Sequence, residues 1–299
     1  MEKNLKLEYF ERLVAPNESE KYFIEQFLEG SGNELADKFW SDRSSSRLCF
    51  DLYSWICKNK DVKNFRFEKK LPGVKTGKNR VSGVPNMDVF FEINDSLVFI
   101  ESKYTETGNN WNYKEDIQGN GFYLSEAYWG TNEEGYKSCK LTIDERFYNH
   151  PEIALLFSKF CNNIQNEINE RRPEYSKYSW FDPKQETCHL FGIIFYILEN
   201  NLRNRNVYLC NNVFRCIKSE DCFNVSGSII QVFKEKAEEM LNKIFVTNNC
   251  KFFFEVNVIQ DILDKGFMGL DFTNAKMFAK EDTKVVSYIL DNYKEDRRK

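Results

Sequence analysis

The sequence predicts an α/β fold: a mixed β-sheet flanked by helices in one 299-residue domain, with an insertion after the third core strand. Three observations lead there. Met87 to Ile93 and Leu97 to Tyr104 are rich in β-branched and aromatic residues and flank Asn94-Asp95-Ser96, which reads as a β-hairpin. Before it, Phe65 to Leu71 alternates like a strand and closes on Pro72-Gly73. Well after it, a strongly apolar helix, Gln185 to Leu198, precedes a short strand, Val207 to Cys210. That succession suggests a crossover onto the same sheet.

The remaining elements follow in order. Leu5 to Gly30 has helical spacing, with Leu13, Phe23, Phe27 and Leu28 expected inside and Gly30 as a stop. Glu34 to Lys58 resumes that spacing around a polar interruption, Ser41 to Ser46. Its serines can cap a second helix from about Arg47, with Leu48, Leu52, Trp55 and Ile56 apolar. The first half of 105–184 shows no periodicity, and Pro151 to Arg171 then reads as an amphipathic helix. So long a connection is taken as an insertion. Ile229 to Phe245 predicts a helix, Phe252 to Ile259 a strand and Asp282 to Tyr293 a last helix. The core is thus assigned to 31–104 and 185–215, and a C-terminal helical and strand extension to 216–299.

Composition limits the function classes. A net charge of −4 carries no global nucleic-acid signature, so such a partner must be argued from local charge. Nine scattered cysteines and an N-terminus without an apolar secretory stretch point to a reduced, cytoplasmic protein. Cys188, Cys210, Cys216 and Cys222 lack the close pairs of a structural zinc site. The longest apolar run, Leu190 to Leu198, falls far short of the roughly 20 residues that span a bilayer, so no membrane partner is expected.

The hairpin carries the chemistry. Counting outward from Asn94-Asp95 sets Asp88 directly opposite Glu101, and strand alternation puts Lys103 on their face. Opposed like charges are destabilising, and a divalent cation is the natural relief. Mg²⁺ suits such a pair because it takes one or two carboxylates and keeps waters for itself and a phosphate. A lysine on the same face can orient or deprotonate an attacking water, or stabilise developing phosphorane charge. The Glu-x-Lys triplet alone is common, and Glu68-Lys69-Lys70 is a rival copy. Glu68, however, has only Asp61 as a preceding acid, too near for an equivalent strand pair. A surface hairpin with an ordinary charge cluster is the plain alternative. Against it, Phe90, Leu97 and Phe99 share the face of Asp88 and Glu101, where unpaired carboxylates are expensive.

Asp88 followed by Glu101-Ser102-Lys103, with Pro85 three residues ahead of the aspartate, resembles the PD-(D/E)XK nuclease superfamily, which includes many restriction endonucleases. The resemblance implies a restriction-endonuclease-like core of one helix, three antiparallel strands, a helix and a fourth strand. The segments 34–58, 65–71, 87–93, 97–104, 185–198 and 207–210 supply that order, and about the last 90 residues lie outside it. It further implies a Mg²⁺-dependent endonuclease, with Mn²⁺ able to substitute, that hydrolyses phosphodiester bonds of double-stranded DNA. A type II restriction endonuclease is the leading form, acting as a homodimer beside a cognate DNA methyltransferase. The alternatives are a repair, recombination or phage-defence nuclease, or a non-enzymatic nucleic-acid-binding protein on an inactive version of the fold. In those terms Asp88, Glu101 and Glu34 bind metal and Lys103 manages the water, with Asp51 and Glu68 standing behind Glu34.

Glu68, Gln185, His189 and Glu106 are expected to support the site from beside it. Gln185 and His189 lie one turn apart on the helix expected to cover the sheet. Arg47 and the basic run containing Lys69, Lys70, Lys75, Lys78 and Arg80 are the candidate DNA contacts, suited to phosphates and not to bases.

Overall fold

A computed structural model describes residues 19–29, 39, 45–76, 79–80, 84–103, 129–131, 137–139, 144–170, 181–214 and 220–272. The expected helical residues before Ser19 and the last helix, 282–293, lie outside them.

The first described helix, α1 (Ser19–Glu29), buries Phe23 and Phe27, one turn apart. Leu28, expected inside, is 62% exposed, because it lies about 100° round the helix from the buried pair. Next come α2 (Ser45–Tyr53) and a 3₁₀ turn (Ser54–Lys58). Strand β1 (Val62–Lys70) follows, then the two-residue strands β2 (Lys75–Thr76) and β3 (Asn79–Arg80). The expected hairpin is β4 (Asn86–Ile93) and β5 (Ser96–Lys103). Ile93 pairs with Ser96 across a two-residue Asn94-Asp95 loop, where Asn94 takes φ 51°, a conformation asparagine tolerates well.

In the insertion, strands β6 (Trp129–Thr131) and β7 (Lys137–Cys139) pair with each other, and α3 (Pro151–Glu170) is the expected amphipathic helix. The chain continues through α4 (Pro183–Glu199), β8 (Asn206–Val213), α5 (Glu220–Ile244), β9 (Lys251–Val258) and α6 (Ile259–Lys265). Ile259, expected to end a strand, instead opens α6 and packs in the core.

A five-stranded sheet organises these elements in the order β1-β4-β5-β8-β9. Its first three strands run antiparallel, whereas β8 lies parallel to β5 and β9 parallel to β8. Helices cover both faces, as central parallel strands require. On one face α3, α4 and α5 enclose Phe90, Leu97, Phe99, Leu209 and Phe254. On the other, α1, α2 and α6 enclose Phe67, Val89, Val98 and Ile100. Strand β9, assigned from sequence to a C-terminal extension, pairs with β8 along its full length. Among the described residues no helix is long and apolar enough to cross a membrane.

Two details of α4 bear on the site. It begins at Pro183, two residues earlier than expected, because Asp182 caps it: its Oδ1 accepts from Gln185 N–H at 3.1 Å. It also lies close on the structure beneath, since a Cβ added at Gly192 would meet the Leu71 Cβ at 2.6 Å. The helix ends at Glu199, one residue beyond the expected Leu198. Asn201 adopts φ 50°, and Leu202 N–H reaches back to the Ile197 carbonyl at 3.0 Å.

Candidate functional site

The β4–β5 register sets the acids. The ladder runs outward from the turn to Val89 paired with Ile100 and leaves Asp88 and Glu101 one residue beyond it on the two strands. Ser102 N–H donates to Asp88 Oδ2 at 2.7 Å and fixes that carboxyl against β5. Glu101 is 5% exposed and Lys103 9%. Lys103 Nζ donates to Glu101 Oε1 at 2.7 Å and to Gln185 Oε1 at 2.7 Å. Gln185 Nε2 closes the triangle by donating to Glu101 Oε1 at 2.8 Å. One oxygen of each carboxylate is therefore anchored by the chain. Asp88 Oδ1 and Glu101 Oε2 accept no hydrogen bond from the described residues.

His189, one turn beyond Gln185, places Nε2 at 3.9 Å from Glu101 Oε2 and Nδ1 at 3.6 Å from Glu186 Oε2. Both are ion-pair distances and too long for hydrogen bonds. The capped start of α4 thus delivers Gln185 and His189 to the acids, as the shared helix face suggested.

The electrostatics follow from these neighbours. Asp88 as a residue is only partly buried, but burial of its carboxyl raises its pKa well above the ordinary value. The charges of Glu101 and Glu68 push in the same direction, against Ser102 N–H and Lys103. Burial also pushes Glu101 up, yet the charges of Lys103 and His189 and the bonds from Lys103 and Gln185 outweigh it. Glu101 is held below the usual carboxylate range. Burial lowers His189, but Glu186 and Glu101 outweigh that and leave the imidazole more basic than usual. The pair therefore divides into a carboxylate held ionised and a neighbour that resists ionising.

Glu68, named from the sequence as a residue beside the site, is placed by its strand register. Its sequence neighbourhood offered only Asp61, but the β1–β4 register, with Phe67 on Val89 and Lys69 on Met87, sets Glu68 beside Asp88. Glu68 is 7% exposed and sits at φ 49°, a conformation that a long side chain adopts only under strain. Normal alternation breaks there. Phe67 joins the core under α1 and α2, whereas the Lys69 ammonium lies over the Phe90 and Tyr196 rings on the opposite face, at 4.9 and 4.7 Å. Sequence spacing gives no sign of this break.

Glu34, Glu106 and Lys78 lie outside the described residues. Asp51 is 2% exposed and Arg47 8%, both on α2. Lys75 pairs with Arg80 across β2 and β3, and Lys70 is exposed at the end of β1. The structure thus brings Asp88, Glu101, Lys103, Gln185, His189 and Glu68 together.

No family model, curated protein or solved structure matches this chain. The site stands on its own geometry. Among the described residues no three His, Cys, Asp or Glu side chains form a ready-made metal cage. Two carboxylates, each with one tethered and one untied oxygen, nevertheless fit Mg²⁺, which takes few protein ligands and retains water. Sequence reasoning also missed Asn211 and Asn212. They follow the expected end of β8 and are 0% exposed, because the ladders to β5 and β9 carry the strand on to Val213.

Proposed function

We propose that this chain is a Mg²⁺-dependent nuclease of the PD-(D/E)XK kind that hydrolyses phosphodiester bonds in DNA. One observation carries the reading: Asp88 and Glu101 lie just past the end of the β4–β5 ladder, each with one oxygen that accepts no hydrogen bond from the described residues, and Lys103 is bonded beside them. The order of a helix, three antiparallel strands, a helix and a parallel fourth strand supports it. So does the raised Asp88, whose ionisation a bound cation would favour.

Asp88 and Glu101 are the residues to hold Mg²⁺, which when bound would neutralise phosphate charge and acidify a water. Gln185 fixes the Glu101 rotamer by bonding the oxygen that Lys103 also bonds. Lys103 Nζ, held between Glu101 and Gln185, is placed to donate to an incoming phosphate or to steer the attacking water.

Plasmid DNA incubated with the protein in Mg²⁺ and in EDTA tests this. Cleavage is expected only with Mg²⁺, and Glu101→Gln and Lys103→Ala should each slow it by at least about 100-fold. Circular dichroism should show both variants folded. Unchanged cleavage in both would sink the assignment. DNA binding without cutting in Mg²⁺ or Mn²⁺ would favour a non-enzymatic role.

A further inference from the structure

Asn211 is the most anomalous side chain on the α4 face of the sheet. Along β8 the residues on that face are Val207, Leu209, Asn211 and Val213, and the three aliphatic ones belong to the core beneath α3, α4 and α5. Asn211 is 0% exposed, yet neither Oδ1 nor Nδ2 has a hydrogen-bond partner among the described residues. Its neighbour Asn212, on the opposite face, is fully engaged. Asn212 Nδ2 donates to the Tyr53 hydroxyl at 2.6 Å, and its Oδ1 accepts from Asn257 Nδ2 at 3.1 Å. An unpaired buried amide is destabilising, and a valine or leucine in that row would avoid the cost.

Position explains why an amide is there. The parallel register pairs Asn211 with Glu101, so the two share a face on strands about 4.8 Å apart. Other buried atoms in the Glu101–α4 cluster also lack a hydrogen-bond partner among the described residues: His189 Nδ1 and Glu186 Oε2, which lie 3.6 Å from each other. Glu101 Oε2, which accepts no hydrogen bond from the described residues, lies 3.9 Å from His189 Nε2.

We infer that Asn211 is a positioning residue of the acidic site. Its carboxamide takes a water from the shell of a cation held by Asp88 and Glu101, and steadies Glu101 Oε2 toward that cation. This rests on reading those two acids as cation ligands. A neutral amide suits the task because it offers both an acceptor and a donor without adding a third buried charge.

Two variants test it, read first by thermal unfolding without DNA, in EDTA and across a Mg²⁺ titration, and second by the Mg²⁺ dependence of cleavage. Asn211→Leu removes the unpaired amide while keeping its branched outline, so its Tm in EDTA should equal or exceed that of the unaltered protein. The Mg²⁺ needed for half of the Tm rise, and for half-maximal cleavage, should increase about tenfold. Asn211→Asp, which retains an oxygen there, should need no more Mg²⁺ than the unaltered protein. An Asn211→Leu protein with unchanged Mg²⁺ dependence overturns the inference, as does one that merely loses Tm in EDTA. Should the unaltered protein bind Mg²⁺ through Asn211 without cutting DNA, the inference stands and the nuclease reading falls. A protein indifferent to Mg²⁺ in both readouts overturns the inference.

Discussion

The two faces of the sheet treat their polar groups in opposite ways. Under α1 and α2, Phe27 stacks on Phe67 at 5.0 Å and Phe23 meets Phe67 edge-on at 5.3 Å. The Gln26 amide oxygen takes the Phe67 N–H at 2.8 Å, and Asn212 links Tyr53 to Asn257. The polar contacts just named join secondary elements together, although Gln26 Nε2 and Ser102 Oγ are buried on that face without a hydrogen-bond partner among the described residues. Under α4, by contrast, Asp88 and Glu101 lie on neighbouring strands, Asn211 has no hydrogen-bond partner among the described residues, and His189 hovers between two acids just beyond bonding distance. One sheet thus carries a stabilising face and a face that retains electrostatic conflict. Conflict of that kind persists where a ligand resolves it.

Three substitutions test the contrast. Phe67→Ala should have the largest effect, a loss of about 3–5 kcal/mol in denaturant unfolding, because several rings lose their common neighbour. Where that variant is still folded, its Mg²⁺-dependent Tm rise should match that of the unaltered protein. A lost Mg²⁺ response would mean that the two faces are coupled.

Asp88→Asn should act in the opposite direction. In the folded, metal-free chain the Asp88 carboxyl titrates above its ordinary 3.8. Its contribution to stability is therefore complete below 3.8 and is lost as pH rises through the raised value. At neutral pH in EDTA, Asp88→Asn should unfold about 1–2 kcal/mol less readily, while cleavage disappears. Urea unfolding at pH 7 checks this, and a destabilised variant would contradict the charge conflict.

The smallest effect belongs to His189. Its folded pKa lies above 6.5, so its stabilisation is complete below 6.5 and lost as pH rises through the raised value. His189→Gln should flatten that alkaline decline and leave acid-side unfolding driven by Glu101, whose pKa is lowered. Parallel urea titrations of both proteins across that range provide the measurement.

The hairpin and the Asp88–Glu101 register were legible because a two-residue turn leaves one pairing that keeps Phe90, Leu97 and Phe99 on a single face. The α4 residues were legible through helical spacing, although the Asp182 cap moved the start of the helix. Other contacts left no local trace. Glu68 lies beside Asp88 at a positive φ within an unshifted stretch of the β1–β4 register, and Lys69 lies over the Phe90 and Tyr196 rings, on the face opposite Phe67. Leu28 passed for a core residue because spacing shows a stripe but not its edge.

By itself, then, the sequence determined the order of the elements, the pairing of Asp88 with Glu101 and the face on which Lys103 lies, since turn length and two-residue alternation are local properties. Only the tertiary structure decided how Glu68, expected near the site, lies against Asp88, and that Asn211 shares the face of Glu101. Their positions depend on register between strands distant in sequence: β1 against β4, and β8 laid parallel to β5 after a long crossover. Such register is set by packing over the whole sheet, and no short window of residues encodes it.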